Sequence, residues 1–199
     1  MSTAAYLGPE GTFAHQAALA WSERQETPPR LEPIDSIGAV VDAVRTGQAR
    51  WGIVPLSNST AGPVPATAEA LAQVPEIQVL EEIVVPITMM AFVRPHHGVV
   101  PGESTLSVST LPETTLTEIT AHPHALAQSS RFVTSLGLTH VPASSNAVAC
   151  RDLQPHQVAL GTALSGELYG LDTFAENVGD DSHATTRFGV IAVTPTSTP

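Results

Sequence analysis

Hydrophobic and polar residues follow two alternating spacings along this chain, and together they predict an α/β fold. Short apolar runs typical of strands are separated by stretches in which apolar residues recur every three or four positions. Thr12, Ser36 and Pro123 are suited to helix starts, and Gly47 and Gly137 to helix ends. Strands that alternate with helices in this order are typical of a parallel or mixed sheet flanked by helices.

The predicted elements extend from residue 4 to residue 193. The predicted strands are 4–7, 51–56, two strands within 77–93 that separate near Pro86, 116–120, 138–142, 157–160, 171–175 and 187–193. A first helix has Phe13, Ala17, Ala20 and Trp21 on its apolar side, and further helices are predicted over 37–46, 65–73, 123–137, 146–152 and 163–169. Residues 95–117 lack clear periodicity and predict a surface insertion, and residues 196–199 are predicted as a disordered tail.

The charge composition narrows the chemistry of any binding site. The formal net charge at pH 7 is −11, and all 8 basic residues are arginine. Such an acidic chain is poorly suited to nucleic acid, so we expect no nucleic-acid partner. Without lysine there is no Schiff-base chemistry, and an anionic ligand must be held by arginine, hydroxyl groups or backbone N–H groups.

Cysteine and histidine usage, together with hydropathy, indicates a cytoplasmic protein without a metal site. Cys150 is the only cysteine, so no internal disulfide can form. No apolar stretch approaches the roughly 18 residues that span a bilayer, so we expect no membrane partner. His96 and His97 are adjacent, but no carboxylate or cysteine accompanies them at zinc-like spacing, and we expect no metal site.

Four turns combine small or polar residues at the ends of predicted strands. They are residues 8–12, 57–62, 121–128 and 144–146. In open α/β sheets, ligands bind at the carboxyl ends of strands, where helix N-termini present unpaired N–H groups to an anion. These turns therefore predict a small carboxylate ligand, although any one of them taken alone is also explained as a helix cap.

Five segments in this order resemble the motifs of prephenate dehydratases. They are Y-L-G-P-E-G-T-F at 6–13, G-I-V-P-L-S-N-S-T at 52–60, H-P-H-A-L-A-Q at 122–128, E-L-Y-G-L at 167–171 and T-T-R-F at 185–188. The resemblance covers nearly the whole chain. It implies a two-lobed α/β fold similar to type II periplasmic binding proteins, with the ligand cleft between the lobes. We expect residues 1–82 and 179–195 to form one lobe and residues 83–178 the other.

The resemblance also implies a reaction, in which prephenate becomes phenylpyruvate by losing carbon dioxide and its ring hydroxyl, without any cofactor. It assigns catalytic roles to Thr186, Asn58 and Gln128, with the hydroxyl of Thr186 as the hydrogen-bond donor to the departing oxygen. The implied substrate-binding residues are Thr12, Ser57, Ser59, Thr60, Ala121, His122, Ser144, Ser145, Thr185, Arg187 and Phe188. An arginine within a strand is also explained as an ion-pair residue. We expect the chain to form a homodimer.

Three features depart from the family pattern. Ser57 stands where the family has glutamate, and Ala121 stands where it commonly has serine. In the family, an ACT domain that senses phenylalanine follows the catalytic part. This chain ends soon after its T-R-F segment, so we expect no feedback inhibition through such a domain.

These departures leave three functional hypotheses. The first is a dehydratase acting on prephenate or arogenate. The second is a relative with altered chemistry, such as a non-aromatising prephenate decarboxylase or an enzyme that acts on another ring-derived acid in specialised metabolism. The third is a non-catalytic module that binds a small acid. The retained segment 185–188 argues against the third hypothesis, and the lost glutamate favours the second.

Overall fold

The computed structural model describes residues 2–95 and 116–194, and the chain divides into two compact units. The first unit contains residues 2–87 and 183–194, and the second contains residues 88–95 and 116–182. These boundaries lie a few residues after the expected ones, at 82 and 178. Most of the insertion predicted over 95–117, from residue 96 to residue 115, and the predicted tail at 196–199 lie outside the described residues.

The secondary-structure elements have the following bounds. The strands are β1 (Thr3–Leu7), β2 (Arg30–Ile34), β3 (Trp51–Asn58), β4 (Gly62–Pro63), β5 (Ile77–Pro86), β6 (Met90–Val93), β7 (Glu118–Ala121), β8 (Thr139–Pro142), β9 (Gln157–Gly161), β10 (Asp172–Ala175) and β11 (Thr185–Val193). The helices are α1 (Phe13–Ser22), α2 (Ile37–Arg45), α3 (Pro65–Ala72), α4 (Pro123–Gln128), α5 (Ser130–Leu136), α6 (Asn146–Arg151) and α7 (Ala163–Leu168). None of the helices in the described part of the chain is long and apolar enough to cross a membrane.

The sheet of the first unit has the strand order β2-β1-β3-β11-β5, with β4 paired to β3. β1 is parallel to β2 and β3, whereas β11 is antiparallel to β3 and β5. The carboxyl ends of β1 and β3 therefore lie at the same edge of the sheet as the amino end of β11. Strand β2 was not predicted, because its sequence R-L-E-P-I has charged residues and a proline. Proline is tolerated there because β2 is an edge strand.

Helices cover both faces of this sheet. On one face, α1 buries Ala17 and Trp21 against Tyr6, Phe188 and other core residues. The helix prediction was wrong at Ala20, which is exposed, whereas Ala14 and Ala18 are buried. On the other face, α2 buries valines of the A-V-V-D-A-V segment against β1, β3 and β11. Strands β1, β3 and β11 thus bury side chains on both faces of the sheet, which fixes their register.

The second unit has its own sheet with the order β10-β6-β9-β7-β8. β7 is parallel to β8 and β9, and β6 is antiparallel to β9 and β10. The single helix predicted over 123–137 is wrong, since the chain breaks at Ser129 into α4 and α5. The physical reason is a tertiary cap, because the Asp180 carboxylate accepts the N–H groups of Ser130 and Arg131 and so begins a new helix.

Gly52 in β3 allows α2 to pack closely on the sheet. A Cβ atom at this position would lie 2.8 Å from Ile191 Cγ1, 2.9 Å from Val40 Cγ1 and 3.0 Å from Val44 Cγ2. These neighbours are buried branched side chains that cannot rotate away from the new methyl group. Gly38, by contrast, is a glycine within α2 whose Cβ would meet nothing within 4 Å.

We predict opposite effects of alanine at these two glycines. Gly52→Ala should lower the free energy of unfolding by about 1–3 kcal/mol, the usual cost of overpacking a core. Gly38→Ala should raise it by about 0.5–1 kcal/mol, because alanine is the better helix former. Urea denaturation monitored by circular dichroism measures both changes. Equal stability of the Gly52→Ala variant and the wild type would contradict the packing described here.

Candidate functional site

A β-bulge interrupts the pairing of β3 with β11 near the carboxyl end of β3 and the amino end of β11. Phe188 lies opposite Pro55, but the next residue of β11, Arg187, lies opposite Ser57. Leu56 is therefore the additional residue of β3. Its side chain packs over Gly189, where a Cβ atom would lie 3.1 Å from a Leu56 methyl group. β3 also continues to residue 58 and β11 begins at residue 185, beyond the predicted strand ends at 56 and 187.

The bulge changes which side chain shares a face of the sheet with Thr186. Strict alternation from Ile53 and Pro55 would bring Ser57 to the face that α1 covers. After the bulge, Asn58 instead lies opposite Thr186 on that face. The family motifs imply roles for both residues, but no local pattern shows that they are adjacent.

A hydrogen bond of fixed direction joins Asn58 to Thr186. The Oδ1 atom of Asn58 accepts the backbone N–H groups of Thr60 and Ala61 at 2.9 and 3.0 Å. Its Nδ2 atom must then face Thr186 Oγ1, to which it donates over 2.9 Å. Thr186 is only 8% exposed, and no acceptor for its hydroxyl proton occurs among the described residues. The hydroxyl oxygen is thus the acceptor toward Asn58, and its proton is not engaged by any described group.

Ser59 and Thr185 close the β3–β11 ladder next to this pair. The Ser59 backbone N–H donates to the Thr185 carbonyl, and Ser59 Oγ accepts the Thr185 N–H, each over 2.9 Å. Thr60 lies in the exposed turn that follows. These contacts show how Ser59 and Thr185 hold the end of the ladder in place, whereas their predicted contact with a substrate stays a prediction.

Arg187, the cation predicted for a carboxylate ligand, forms an ion pair with Glu82 of β5. Its Nε atom donates to Oε2 over 2.9 Å and its Nη2 atom donates to Oε1 over 2.7 Å. Both side chains are about half exposed, at 51% and 43%. The ion-pair explanation that the sequence left open therefore describes this arginine. Glu82 was not predicted as a site residue, and its signal in the sequence is the acidic pair Glu81-Glu82 within a largely apolar strand.

The turn after β1 ends in a well-defined helix cap. Thr12 Oγ1 accepts the His15 backbone N–H over 3.2 Å and donates to the Pro9 carbonyl over 3.0 Å. Gly11 has a φ of 87°, which side chains rarely allow. The turn lies at the same edge of the sheet as Asn58 and Thr186, because β1 and β3 are parallel neighbours.

Phe188, predicted as a substrate contact, lies in the core and is 3% exposed.

In the second unit, the predicted residues around β7 belong to linked helix caps. His122 Nδ1 accepts the His124 N–H over 3.2 Å, and the His122 N–H donates to Asn146 Oδ1 over 2.9 Å. Ser145 caps α6 through the Val148 N–H. Ala121 is fully buried and Ser144 is exposed. Asn146 was not predicted as a site residue, although it lies in one of the four polar turns.

Gln128 carries a buried donor without an acceptor in the described structure. No described group accepts from its Nε2 atom, and the neighbouring Ser129 Oγ is in the same situation. Burying an unpaired polar group costs about 1–3 kcal/mol, so such atoms are expected to find a water or a ligand. Asp180 lies beside Gln128 and donates its N–H to the Gln128 carbonyl over 2.7 Å.

Among the described residues, no cluster of histidine, cysteine and carboxylate side chains could hold a metal.

Comparison with known proteins gives one family. The family model described as prephenate dehydratase matches residues 4–196. The prephenate dehydratase of Mycolicibacterium gilvum is 36% identical over 94% of this chain and 60% of its own length. The chain thus spans about three fifths of the curated relatives that it matches.

Two solved structures place the fold in a wider group. The prephenate dehydratase of Arthrobacter aurescens, solved in complex with L-Phe, is 27% identical with a TM-score of 0.78, over 97% of this chain and 61% of that one. A periplasmic substrate-binding protein of Coxiella burnetii is 12% identical with a TM-score of 0.51, over 97% and 84%. The second likeness concerns the fold alone. It confirms the predicted α/β fold of the type II periplasmic-binding-protein class.

We predict that Asp180 makes the stability of the second unit sensitive to acid. Its hydrogen bond from Ser130, with others from Arg131, holds the pKa of the Asp180 carboxyl below its ordinary value of 3.8. Because the folded pKa is lowered, the stabilisation is present above pH 3.8 and is lost as the pH falls through the folded pKa. Asp180→Ala should therefore lower the free energy of unfolding at pH 6, by about 1 kcal/mol as for other helix caps, and less at pH 3.

Asp35→Ala is the control for this measurement. Asp35 is exposed, and its carboxylate makes no hydrogen bond within the described structure. Urea denaturation at the two pH values measures both variants. A difference between Asp180→Ala and the wild type that is as large at pH 3 as at pH 6 would contradict an ionised cap.

Proposed function

The chain belongs to the prephenate dehydratase family, and on this premise we propose that it converts prephenate, or the related arogenate, to an aromatic product with loss of carbon dioxide and water. The single observation that carries the proposal is the hydrogen bond from Asn58 to Thr186. It holds the one hydroxyl that the family motif assigns to the leaving group in a state from which it can donate. The family names and the length of the match support the same reaction.

The chemistry requires help at the departing oxygen. When the ring carboxylate leaves as carbon dioxide, the electron pair of the broken C–C bond enters the ring and expels the hydroxyl as hydroxide. Hydroxide is a poor leaving group, so a donor that strengthens as negative charge develops lowers the barrier. Proton uptake from solvent then completes the water molecule. Thr186 needs only to donate a hydrogen bond and keeps its own proton.

Asn58 prepares Thr186 for this role. The amide N–H group donates to Oγ1, which polarises the hydroxyl and makes it a better donor. The bonds from Thr60 and Ala61 fix the amide, so no reorganisation is required when charge develops. Thr186 is also largely shielded from water, where the same hydrogen bond would count for less.

The proposed carboxylate contacts are mainly neutral donors. Arg187 is already paired with Glu82, and the sequence has no lysine. The turn at Thr12 begins α1, and the N–H groups of Phe13 and Ala14 have no acceptor among the described residues. Helix starts of this kind bind carboxylates through their N–H groups. In the second unit, the unpaired Nε2 atom of Gln128 is the best-supported contact.

The proposed setting is the cytoplasm, with a small carboxylic acid as ligand and a second copy of the chain as partner. The L-Phe complex of the Arthrobacter aurescens enzyme supports the binding of small molecules within the family. The edge strand β5 supports self-association, because Val79, Leu80 and Val84 are exposed on it. Exposed apolar residues on an edge strand favour pairing with another strand.

Altered chemistry remains the second candidate, and Ser57 is the observation that favours it. Ser57 lies opposite Arg187 across the β3–β11 pair, where the family motif has a glutamate. In this chain the guanidinium is neutralised from β5 by Glu82 instead. The charge near the proposed site is thus arranged differently from that implied by the family motif, which is compatible with another ring-derived acid as substrate.

We predict that Thr186→Val lowers kcat on prephenate by about a hundredfold or more, the scale of about 3 kcal/mol for one transition-state donor. Thr186→Ser should retain most of the rate, because it keeps the hydroxyl. Formation of phenylpyruvate and release of carbon dioxide measure the reaction. Thr139→Val, an exposed change on β8, is the control. A change of less than threefold in Thr186→Val would remove Thr186 from the mechanism.

Asn58→Asp tests the direction of the same hydrogen bond. A carboxylate can only accept, so the Thr186 hydroxyl would turn its proton toward residue 58 and away from the substrate. We expect this variant to lose about as much kcat as Thr186→Val. Full activity of Asn58→Asp would show that the direction of the bond is irrelevant to catalysis.

We predict that Ser57→Glu separates the two candidate functions. In a true dehydratase, the carboxylate should restore the pattern of the family and raise the rate on prephenate. In an enzyme reshaped for another acid, it would compete with Glu82 for Arg187 and bring a charge near an anionic ligand, which lowers activity on the true substrate. Ser57→Ala is the uncharged control. A wild-type rate already typical of the family and unimproved by glutamate would refute an altered chemistry.

Carbon dioxide release without an aromatic product would support the decarboxylase. If prephenate binds to the wild-type chain without turnover, the module that only binds a small acid becomes the better description.

A further inference from the structure

His15 is a buried titratable residue that the proposed mechanism does not use. It lies in the first turn of α1 and is 8% exposed. Its ring stacks on the Tyr6 ring, with centroids 4.8 Å apart and an interplanar angle of 6°. Its Nδ1 atom accepts the backbone N–H of Gly11 over 3.1 Å. The Tyr6 ring of β1 thus holds one face of the imidazole, and the Gly11 N–H in the turn before α1 holds its Nδ1 atom.

The hydrogen bond with Gly11 defines the protonation state of His15. An imidazole nitrogen can accept a backbone N–H only if it carries no proton itself. The ring is therefore neutral, with its proton on Nε2. If Nδ1 gained a proton, two N–H groups would face each other and the contact would become repulsive. Burial, opposed by the nearby Glu10 carboxylate, lowers the pKa of His15 below its ordinary value of 6.5 and keeps the ring neutral near pH 7.

His15 is connected to the turn by two reciprocal bonds. Its backbone N–H donates to Thr12 Oγ1, while its side chain reaches back to the Gly11 N–H. This resembles a capping box, in which glutamate or glutamine usually supplies the side chain at this position. The side-chain bond fixes the peptide group between Glu10 and Gly11, where the positive φ leaves few other residues acceptable. The conformation of the whole turn therefore depends on the imidazole.

This turn lies at the carboxyl end of β1, at the sheet edge that also carries Asn58 and Thr186. We propose that His15 is a positioning residue, whose neutral imidazole holds the turn at 8–12 in the conformation that receives the substrate carboxylate. The inference rests on the proposed function, since that function supplies the carboxylate. It adds a residue that touches neither the substrate nor Thr186, and acts through Gly11 and Thr12.

Because the turn is held by a neutral imidazole, substrate binding should depend on pH. The Tyr6 phenol ring stacks on the imidazole, and the Glu10 carboxylate acts on it electrostatically. Because the folded pKa of His15 is lowered, the native state loses stability as the pH falls from 6.5 toward the folded pKa. In the folded protein the Gly11 bond is lost only as the pH falls through the lowered folded pKa, and there KM for prephenate should rise while kcat changes little.

Two substitutions at His15 separate positioning from simple packing. His15→Phe retains a ring that stacks on Tyr6 but removes the acceptor for Gly11. His15→Gln supplies an acceptor that does not titrate, as in ordinary capping boxes. His140→Gln, at an exposed position of β8, is the matched control. Each full-length variant is assayed with prephenate between pH 5 and pH 8, after circular dichroism has confirmed that it is folded.

We expect His15→Phe to raise KM by about tenfold or more with kcat within about threefold, the signature of lost ground-state binding. His15→Gln should keep KM near the wild-type value at pH 8 and abolish its rise toward pH 5, whereas His140→Gln should behave as the wild type. In two-dimensional NMR spectra without substrate, the Gly11 amide signal should titrate in the wild type and not in His15→Gln.

Three outcomes would overturn the inference. In an active wild type, an unchanged KM in His15→Phe overturns the role of His15 but leaves the proposed function intact. If His15→Phe does not fold, the decision falls to His15→Gln, and an acid rise of KM equal to that of the wild type overturns the inference. A folded wild type without activity on prephenate overturns the proposed function, and the inference that rests on it, whatever the variants do.

Discussion

The register between β3 and β11 is the constraint on which the candidate site depends. Asn58 and Thr186 are 128 positions apart in the sequence, and only antiparallel pairing of these two strands brings them within 2.9 Å. The buried residues Val190 and Ile191 anchor that pairing in the cores on the two faces of the sheet. A slip by one residue would turn Thr186 to the opposite face and would move Val190 and Ile191 each into the core that the other fills. The hydrophobic core and the chemistry of the site are therefore fixed by the same register.

The bulge at Leu56 decides which residue of β3 lies beside Thr186. It moves Asn58 rather than Ser57 to the face of Thr186 and leaves Ser57 opposite Arg187. An uncharged pair occupies the face covered by α1, whereas the ion pair of Arg187 with Glu82 is half exposed. A charge on the covered face would cost far more to desolvate than an amide and a hydroxyl that bond to each other. The arrangement thus provides a preorganised donor without a buried ion.

Helix caps fix most of the other candidate residues. Thr12, His122 and Ser145 all cap helices, and the Asp180 carboxylate caps α5 from a distant segment. A capping side chain satisfies backbone N–H groups and so has little freedom to move. Such residues are suited to hold a turn in place for a ligand. Gln128 differs from them, since its buried Nε2 atom has no acceptor in the described structure.

The sequence by itself determined most of the elements and the family. Apolar periodicity and capping residues are local signals, so Thr12 and Ser36 identified the starts of α1 and α2, and the five motifs identified the prephenate dehydratases. Tertiary structure decided the rest. The break at Ser129 depends on Asp180, and the edge strand β2 on its pairing with β1. The bulge, the ion pair with Glu82 and the bond from Asn58 to Thr186 were not predicted, because each joins residues that lie far apart in the chain and meet only through strand pairing, which no local pattern encodes.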